Sequence, residues 1–255
     1  MDNPTNPTEL HSLNSIDGSQ QRYYPLLVDL WGKPCVIVGG GTVAERKAQG
    51  LLEAGGRITV ISPVCSPQLQ QWGLDRRLTL KHESYRAGMP ELEEALLIFA
   101  ATDQPQVNEA VRLEAQALGK LVNSTDHAEQ SGFIVPAVVR RGKLLLTVST
   151  SGASPAVARK VRQELEQVFG TEYELYLDLL HELRAEVQMK VGETKERQDI
   201  FRHMLGWRLL DWIRSGSFDD EARGMLVERV SARPSVTEMD AIGDWINRQL
   251  ENRNE

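Results

Sequence analysis

The first half of the chain alternates short apolar runs with amphipathic stretches, which is the pattern of a parallel α/β fold. Cys35–Val38 and Leu96–Ala101 are continuously apolar and have the length of strands buried on both faces of a sheet. Arg57–Ser62, rich in β-branched residues, follows the first run at the spacing of a β-α-β unit. With Leu121–Ser124 as a further strand, these segments predict an N-terminal Rossmann-type parallel sheet.

The pattern changes near residue 130. Phe133–Pro136, Ala137–Arg140 and Leu144–Ser149 have the composition of strands, and a turn at Gly142 indicates that the last two form a hairpin. From Pro155 onward the periodicity is almost wholly helical. We expect helices at Ala156–Phe169, Glu172–Lys190, Thr194–Ser215, Asp220–Arg229 and Val236–Asn252. The predicted class is α/β: the parallel sheet, then a small α+β dimerisation module and a helical C-terminal domain.

These changes divide the chain into four predicted segments. Residues 1–22 are polar and are expected to form a disordered tail rather than a secretory signal. Residues 23–130 form the Rossmann domain, in which Tyr23–Leu30 is apolar enough for a short strand or edge segment. Residues 131–170 form the dimerisation or substrate module, and residues 171–255 form the helical C-terminal domain.

Composition narrows the function classes. The 255-residue chain has a formal net charge of −7, which argues against a nucleic-acid partner because such proteins usually present a broad basic face. No apolar run approaches the roughly 20 residues of a membrane-spanning helix, so we expect no membrane partner. The two cysteines, Cys35 and Cys65, are too few for a disulfide scaffold and lack metal-ligand spacing. We therefore expect a cytoplasmic protein without a resident metal site.

The glycine turn after the first strand predicts a dinucleotide site. Gly39, Gly41 and Ala44 satisfy the G-x-G-x-x-G/A pattern, in which the glycines permit a tight turn and close approach of a pyrophosphate. The first-turn N–H groups of the following helix, at Thr42 and Val43, would face the pyrophosphate together with the positive end of the helix dipole.

The second strand lacks the carboxylate that usually binds the adenosine ribose about 20 residues past the glycines. Ser62, Pro63 and Val64 stand there instead, and Ser62 can still hydrogen-bond a ribose hydroxyl. The choice between NAD and NADP stays open locally. The absence of arginine between Ser62 and Ser66 favours NAD, because no side chain there suits a 2′-phosphate.

Two further residues are expected at the cofactor crevice. Thr102 and Asp103 follow the second apolar strand, and ligands of doubly wound sheets lie beyond the carboxyl ends of strands. The alternative for Asp103 is that it only caps the helix predicted at Gln106–Leu118.

Several motifs resemble one known family. Val36–Ala48, Phe99–Asp103, Asn123–Asp126, Phe133–Pro136 and Ser149–Arg159 are similar, in order and spacing, to the precorrin-2 dehydrogenase/sirohydrochlorin ferrochelatase family, the N-terminal half of sirohaem synthase. The resemblance covers about residues 23–170. It implies a homodimeric enzyme that uses NAD to oxidise precorrin-2 to sirohydrochlorin and that, in bifunctional members, inserts ferrous iron.

The resemblance also implies residue roles. Asp126 follows a strand at the expected carboxyl edge of the sheet and matches the family's catalytic aspartate; the alternative is a turn aspartate that bonds its own backbone. The neighbouring His127 is expected to be a loop residue. Precorrin-2 carries many carboxylates, so its site should offer cations and N–H groups. Ser154 is a predicted N-cap before Pro155, and the expected substrate-binding residues are Ser149, Thr150, Ser151, Gly152, Ser154 and Arg159.

The main alternative function is non-catalytic. A Rossmann protein can act as an NAD-responsive regulator, or it can bind a tetrapyrrole without turning it over. Regulatory modules favour an acid after the second strand, where this chain has Ser62. Chelation also stays open, because metal insertion requires a base and a transient metal path rather than a tight ligand cluster.

Overall fold

The structure is a computed structural model that describes residues 23–126 and 130–251. The chain divides into two compact units, Met1–Val135 and Pro136–Glu255, each with its own apolar core. The tail predicted at residues 1–22 and the loop residue His127 lie outside the described residues.

The first unit is a parallel sheet covered by helices. Its five strands have the order β3-β2-β1-β4-β5, and all neighbouring pairs are parallel. The strands are β1 (Pro34–Val38), β2 (Arg57–Ile61), β3 (Thr79–Lys81), β4 (Leu97–Ala100) and β5 (Leu121–Ser124). The helices are α1 (Thr42–Glu53), α2 (Pro67–Leu74), α3 (Pro90–Glu94) and α4 (Pro105–Ala117). The predicted Rossmann-type sheet is confirmed.

Both faces of this sheet are buried, which explains why its central strands are continuously apolar. Cys35 and Ile37 of β1 point to the core beneath α1 and α2. Val36 and Val38 point to the opposite core, beneath α3 and α4. Because successive side chains of a strand alternate between faces, an apolar residue is needed at every position.

The strand order reverses at β1, which positions the candidate site. β1 pairs with β2 on one side and with β4 on the other, so the connections leave the sheet in opposite directions. In open α/β sheets, ligands bind at this switch point, outside the carboxyl ends of the strands. The carboxyl ends of β1, β4 and β5 are Val38, Ala100 and Ser124.

The second unit contains a hairpin and a helical core. β6 (Ala137–Arg141) and β7 (Leu144–Val148) pair antiparallel, as the turn at Gly142 predicted. α5 (Pro155–Val168) packs on this hairpin. The remaining helices surround one apolar core: α6 (Glu172–Lys190), α7 (Thr194–Leu205), α8 (Leu209–Arg214), α9 (Asp220–Ala232) and α10 (Val236–Glu251).

Two expected strands are wrong. Within the described segment Tyr23–Leu30 there is no strand, and Leu26 and Leu27 are exposed. Phe133–Pro136 is irregular because it folds back over the sheet instead of pairing. The Phe133 ring packs edge-to-face on Phe99 with centroids 5.4 Å apart, and the Phe133 carbonyl accepts the Asn123 amide at 3.0 Å.

Two helix expectations also change. The helix expected at Thr194–Ser215 is broken after Leu205, where Gly206 is the C-cap of α7. The break lets the Trp207 indole N–H donate to the Met239 carbonyl at 2.8 Å while its ring joins the core. Asp103 does not cap α4, whose N-cap is Gln104.

Candidate dinucleotide and catalytic site

Two glycines after β1 allow a backbone approach that no side chain would permit. Gly39 has φ +125°, and a Cβ there would lie 2.2 Å from the Ala101 carbonyl oxygen. A Cβ on Gly40 would lie 2.0 Å from the Val64 carbonyl oxygen. Real Cβ atoms do not approach backbone oxygens so closely, so glycine is required for the turn to pack between the ends of β2 and β4.

Gly41 differs because it faces open space. A Cβ there would meet nothing within 4 Å, yet its φ of −85° suits any residue. Gly41 is the N-cap of α1 and, having no side chain, makes no side-chain hydrogen bond to the first-turn N–H groups. The open space and the uncapped N–H groups fit a pyrophosphate. Thr42 is exposed and Val43 is half-buried beside it, whereas Ala44 is fully buried and packs α1 on the sheet.

The loop after β2 is held against the glycine turn. The Ser66 N–H donates to Gly40 O at 2.8 Å, and the Ser66 hydroxyl donates to Glu45 Oε2 at 2.7 Å. Ser62 is buried and its hydroxyl donates to Val64 O at 2.7 Å, so its proton is already engaged. Pro63 and Val64 are exposed beside the turn. Contact of this loop with the adenosine part of the cofactor stays a prediction.

Thr102 begins the loop after β4. The hydroxyl of this half-buried residue donates to Asn108 Oδ1 at 2.8 Å, and its N–H donates to the same oxygen at 3.0 Å. Asp103 is exposed next to it. Both residues lie beyond the carboxyl end of β4, as expected from the sequence, and their cofactor contacts stay a prediction.

Asp126 lies two residues beyond the carboxyl end of β5. Its side chain is exposed, and its Oδ2 accepts a hydrogen bond from Asn108 Nδ2. Its Oδ1 lies 3.4 Å from the Thr125 hydroxyl. The Thr125 N–H donates to Ala100 O at 3.1 Å, which ties this loop to the end of β4. The structure thus brings Asp126 and Thr102 together through one shared side chain, Asn108.

Lys47 is a charged residue that the sequence analysis did not single out. It lies on α1, and its Nζ donates to Asn123 Oδ1 of β5 at 3.0 Å after passing over the Phe99 ring, 5.5 Å from the centroid. Burial lowers the pKa of the Lys47 ammonium, and the charge of Arg46 adds to this effect. The acceptor of the Lys47 ammonium is the neutral Asn123 amide, which can hydrogen-bond the cation but does not neutralise its charge.

In the second unit, the hydroxyl-rich loop between β7 and α5 is preformed. Ser154 is the N-cap of α5, its hydroxyl accepts from Val157 N at 3.3 Å, and Pro155 occupies the first turn, which confirms the predicted cap. The Thr150 hydroxyl donates to Ser154 O and accepts from Ser154 N, both at 3.1 Å. Ser151 and Gly152 have positive φ values, of 52° and 90°.

The outer side chains of this loop suit a polar ligand, whereas several nearby cations have other partners. Ser149, Ser151 and Gly152 are exposed. Arg159 is exposed on the second turn of α5. Lys143 is paired with Asp178. Substrate binding by Ser149, Thr150, Ser151, Gly152, Ser154 and Arg159 stays a prediction.

Two other kinds of feature, a metal-binding cluster and a membrane-spanning helix, are absent from the part of the chain that the structure describes. No three His, Cys, Asp or Glu side chains there come together as a group able to hold a metal ion. No helix within the described ranges combines the length and apolar character needed to cross a bilayer.

Asn108 carried a recognisable signal in the sequence. It occupies the same buried stripe of α4 as Val111 and Ala115, at the three- and four-residue spacing of a helix face. A polar residue in an apolar stripe indicates a specific hydrogen-bonding role, because burial of an unpaired amide is unfavourable. Lys47 had no comparable signal, since its acceptor, Asn123, lies 76 residues away in the sequence.

Comparisons with known proteins agree with this arrangement. A family model described as NAD(P)-binding matches residues 26–137, and a model of the central part of sirohaem biosynthesis proteins matches residues 141–167. The chain is 33% identical over 205 residues to siroheme synthase of Nitrosococcus oceani, a match that covers 80% of this chain and 43% of that protein. It is 38% identical over 203 residues to siroheme synthase of Edwardsiella ictaluri, covering 80% of this chain and 41% of that protein.

The chain is similar to proteins of the sirohaem synthase family over 80% of its length. It spans less than half the length of the two curated relatives, at 43% and 41%. A solved structure titled SirC, precorrin-2 dehydrogenase, aligns with 89% of this chain and 100% of its own length, at a TM-score of 0.63 and 25% identity. The first family-model match, residues 26–137, contains the glycine turn and Asp126. The second contains the Ser149–Ser154 loop and most of α5.

Proposed function

We propose that this chain catalyses the NAD-dependent dehydrogenation of precorrin-2 to sirohydrochlorin. The observation that carries the proposal is the position of Asp126. Its carboxylate lies at the carboxyl edge of the parallel sheet, the same edge at which the glycine turn leaves open space before α1. The names of the siroheme synthase relatives and of the SirC structure support the substrate class. The family match at residues 26–137 supports a nicotinamide dinucleotide as the cofactor.

The reaction removes one hydride and one proton from the macrocycle. When bound, NAD would supply the acceptor for the hydride. The Asp126 carboxylate accepts the proton and passes it to solvent. The uncapped N–H groups at the start of α1 would hold the pyrophosphate, and the loop after β2 would hold the adenosine end.

The proposal is tested by anaerobic incubation of the chain with precorrin-2 and NAD, following NADH absorbance and the sirohydrochlorin spectrum. We expect both signals to rise together. Replacing Asp126 by alanine should lower kcat by about 10²–10⁴-fold, the usual contribution of a general base, and leave the dissociation constant for NAD unchanged. If the wild-type chain forms no NADH, the alternative of a non-catalytic NAD-responsive or tetrapyrrole-binding protein replaces the dehydrogenase.

Ferrous iron is a proposed second substrate, because a carboxylate that takes one proton from the macrocycle can also take the pyrrole protons that metal insertion displaces. The test adds ferrous iron, together with wild type or Asp126→Ala, to sirohydrochlorin that the wild-type chain has formed and that has been separated from it. Metal insertion faster than in a protein-free control, and lost in Asp126→Ala, supports chelation. Equal rates with and without protein exclude it.

We also propose a cytoplasmic homodimer. Both Cys35 and Cys65 are buried free thiols, which suits a reducing compartment. The hairpin has two strands, and α5, which packs on it, contains no buried residue. A two-stranded sheet is marginally stable alone, so a second copy that covers this layer would supply the missing burial.

A further inference from the structure

A fully buried amide joins the two polar segments that follow β4 and β5. Asn108 lies in the first turn of α4 and has 0% exposed surface. Its Oδ1 accepts the Thr102 N–H at 3.0 Å and the Thr102 hydroxyl at 2.8 Å. Its Nδ2 donates to Thr102 O at 3.0 Å and to Asp126 Oδ2. All the donors and lone pairs of this amide are therefore used.

The chemistry of the partners fixes the orientation of the amide. A backbone N–H can only donate and a carboxylate can only accept, so Oδ1 must face Thr102 and Nδ2 must face Asp126. An aspartate at position 108 would have no N–H donor for the second carboxylate. A leucine would fill the space but leave the Thr102 N–H and carbonyl without these partners. The site thus requires a side chain that accepts on one side and donates on the other.

A purely structural role explains only part of this arrangement. One N–H of the Asn108 amide donates to the Thr102 carbonyl, and the amide oxygen accepts the Thr102 N–H, in the loop between β4 and α4. The other donor binds Asp126, whose side chain is exposed and whose second hydrogen bond among the described residues is the 3.4 Å contact with the Thr125 hydroxyl. An exposed carboxylate without a firm partner samples several rotamers. The bond to Oδ2 restricts these rotamers and leaves Oδ1 to receive a proton.

We propose that Asn108 is a positioning residue that holds the Asp126 carboxylate at a fixed distance from the Thr102 loop at the rim of the cofactor crevice. This inference rests on the proposed function, in which Asp126 takes the proton while the hydride leaves for the cofactor. Asn108 is buried beneath both segments and acts through Asp126 rather than on the substrate. Its loss leaves the base present but poorly aligned, and misplacement by about 1 Å can lower a rate by about 10²-fold.

The deciding experiment is a double-mutant cycle on the full chain with precorrin-2 and NAD. We expect Asn108→Leu to lower kcat by about 10²-fold while KM for NAD changes by less than about threefold. In the Asp126→Ala background, the same substitution should cause no further fall, because the residue through which Asn108 acts is gone. An equal fall in both backgrounds would overturn the proposal, as would wild-type kcat in Asn108→Leu.

A second variant covers the case in which Asn108→Leu does not fold. Thr102→Val keeps the shape of a half-buried residue and removes the hydroxyl that donates to Asn108 Oδ1 and accepts from the Gln104 N–H. We expect a smaller fall in kcat that also vanishes in the Asp126→Ala background. The matched control is Tyr85→Phe, which removes a hydroxyl that donates to Glu114 on the same helix. That variant should lower Tm without changing kcat; a fall in kcat equal to that of Thr102→Val would indicate a general loosening of α4 and reject the proposal.

A measurement independent of turnover separates failure of this inference from failure of the proposed function. The side-chain NH₂ signals of Asn108, assigned by their loss in Asn108→Leu, should shift in the NMR spectrum of Asp126→Ala. Unshifted signals mean that the two side chains do not interact, and the inference is wrong even if the wild type is an active dehydrogenase. Shifted signals with an inactive wild type mean that the proposed function is wrong and that the contact has no catalytic role.

Discussion

Three glycines, two in the turn before α1 and one inside the helix, allow the packing role of a glycine to be distinguished from a role in binding the cofactor. Gly40 is required by packing, since its Cβ would overlap Val64 O, whereas Gly41 has room for a Cβ on the side where the pyrophosphate is proposed. Gly50 lies inside α1, exposed and without close neighbours. The same substitution to alanine should therefore have three different results.

We expect Gly41→Ala to change the free energy of unfolding by less than about 0.5 kcal/mol and to weaken NAD binding at least about tenfold. Gly40→Ala should destabilise the chain by roughly 1–3 kcal/mol, because backbone must move to admit the methyl group. Gly50→Ala, the matched control, should stabilise α1 by about 0.5–1 kcal/mol and leave NAD binding intact. Urea unfolding and calorimetric titration measure both quantities. Unchanged NAD affinity in Gly41→Ala would place the pyrophosphate elsewhere.

Lys47 gives the stability of the first unit a specific pH dependence. Its pKa is lowered in the folded chain by burial, so the unfolded chain binds this proton more tightly. The charged form therefore destabilises the fold at neutral pH, and this penalty is lost as the pH rises through the folded pKa toward the ordinary value of 10.5. The wild type should gain stability relative to Lys47→Met over that range.

Urea unfolding of both proteins at neutral pH and just below pH 10.5 measures this difference. A constant difference between wild type and Lys47→Met would show that the Lys47 ammonium is as well solvated in the folded chain as in water.

At the scale of elements, local patterns predicted most of the fold. β1, α1 and β2 followed from an apolar run, a glycine turn and β-branched residues, and the cap at Ser154 followed from Ser-Pro. The strand predicted at Phe133–Pro136 was wrong because the Phe133 ring packs on Phe99 of the sheet and the Phe133 carbonyl accepts the Asn123 side-chain amide. The conformation of this segment depends on a hydrogen bond from Asn123, ten residues earlier in the chain, and local sequence patterns do not predict such a contact.

The same limit applies to the candidate site. The glycine turn was predictable because it follows a strand at a position that topology makes important, whereas Asp126 was singled out by the family resemblance together with its place after a strand. Asn108 was missed although its position in the apolar stripe of α4 was a signal, and the partners of Asn108 and Lys47 are brought close only by the packing of α4 and α1 on the sheet. Sequence patterns thus identified residues placed at strand ends and missed those that act across elements.

The surface of α5 carries a prediction about assembly. Val157, Val161, Leu165 and Val168 recur at three- and four-residue spacing, so they share one face of the helix, and none is buried. If a second copy covers this layer, Val157→Glu should shift the chain from dimer to monomer in analytical ultracentrifugation, because it introduces a charge into an apolar contact. Met189→Glu, at an exposed apolar residue of α6, is the control and should leave the dimer intact. A wild-type monomer would reject the assembly.

The whole molecule consists of two units with separate cores, so ligand binding should stabilise them unequally. NAD is proposed to contact residues of the first unit, Met1–Val135. A ligand that binds only the folded form stabilises it by about 2.7 kcal/mol at a concentration 100 times its dissociation constant. That energy should slow hydrogen exchange of the most protected amides of β1 and β4 by about 100-fold, because they exchange only when that core opens.

Hydrogen exchange of the full chain, measured with and without NAD, tests whether the ligand stabilises the two cores unequally. We expect direct protection at Thr42 and Val43, whose N–H groups would bind the pyrophosphate, and the large slowing in β1 and β4. Amides of α9 and α10, in the core of the second unit, should exchange at the same rate in both conditions. Equal slowing in both cores would mean that they unfold as one cooperative transition, and no slowing in β1 would reject the dinucleotide site. If exchange slows only in the first unit, each core must be stable by itself. We expect this result because each unit has its own set of buried apolar side chains.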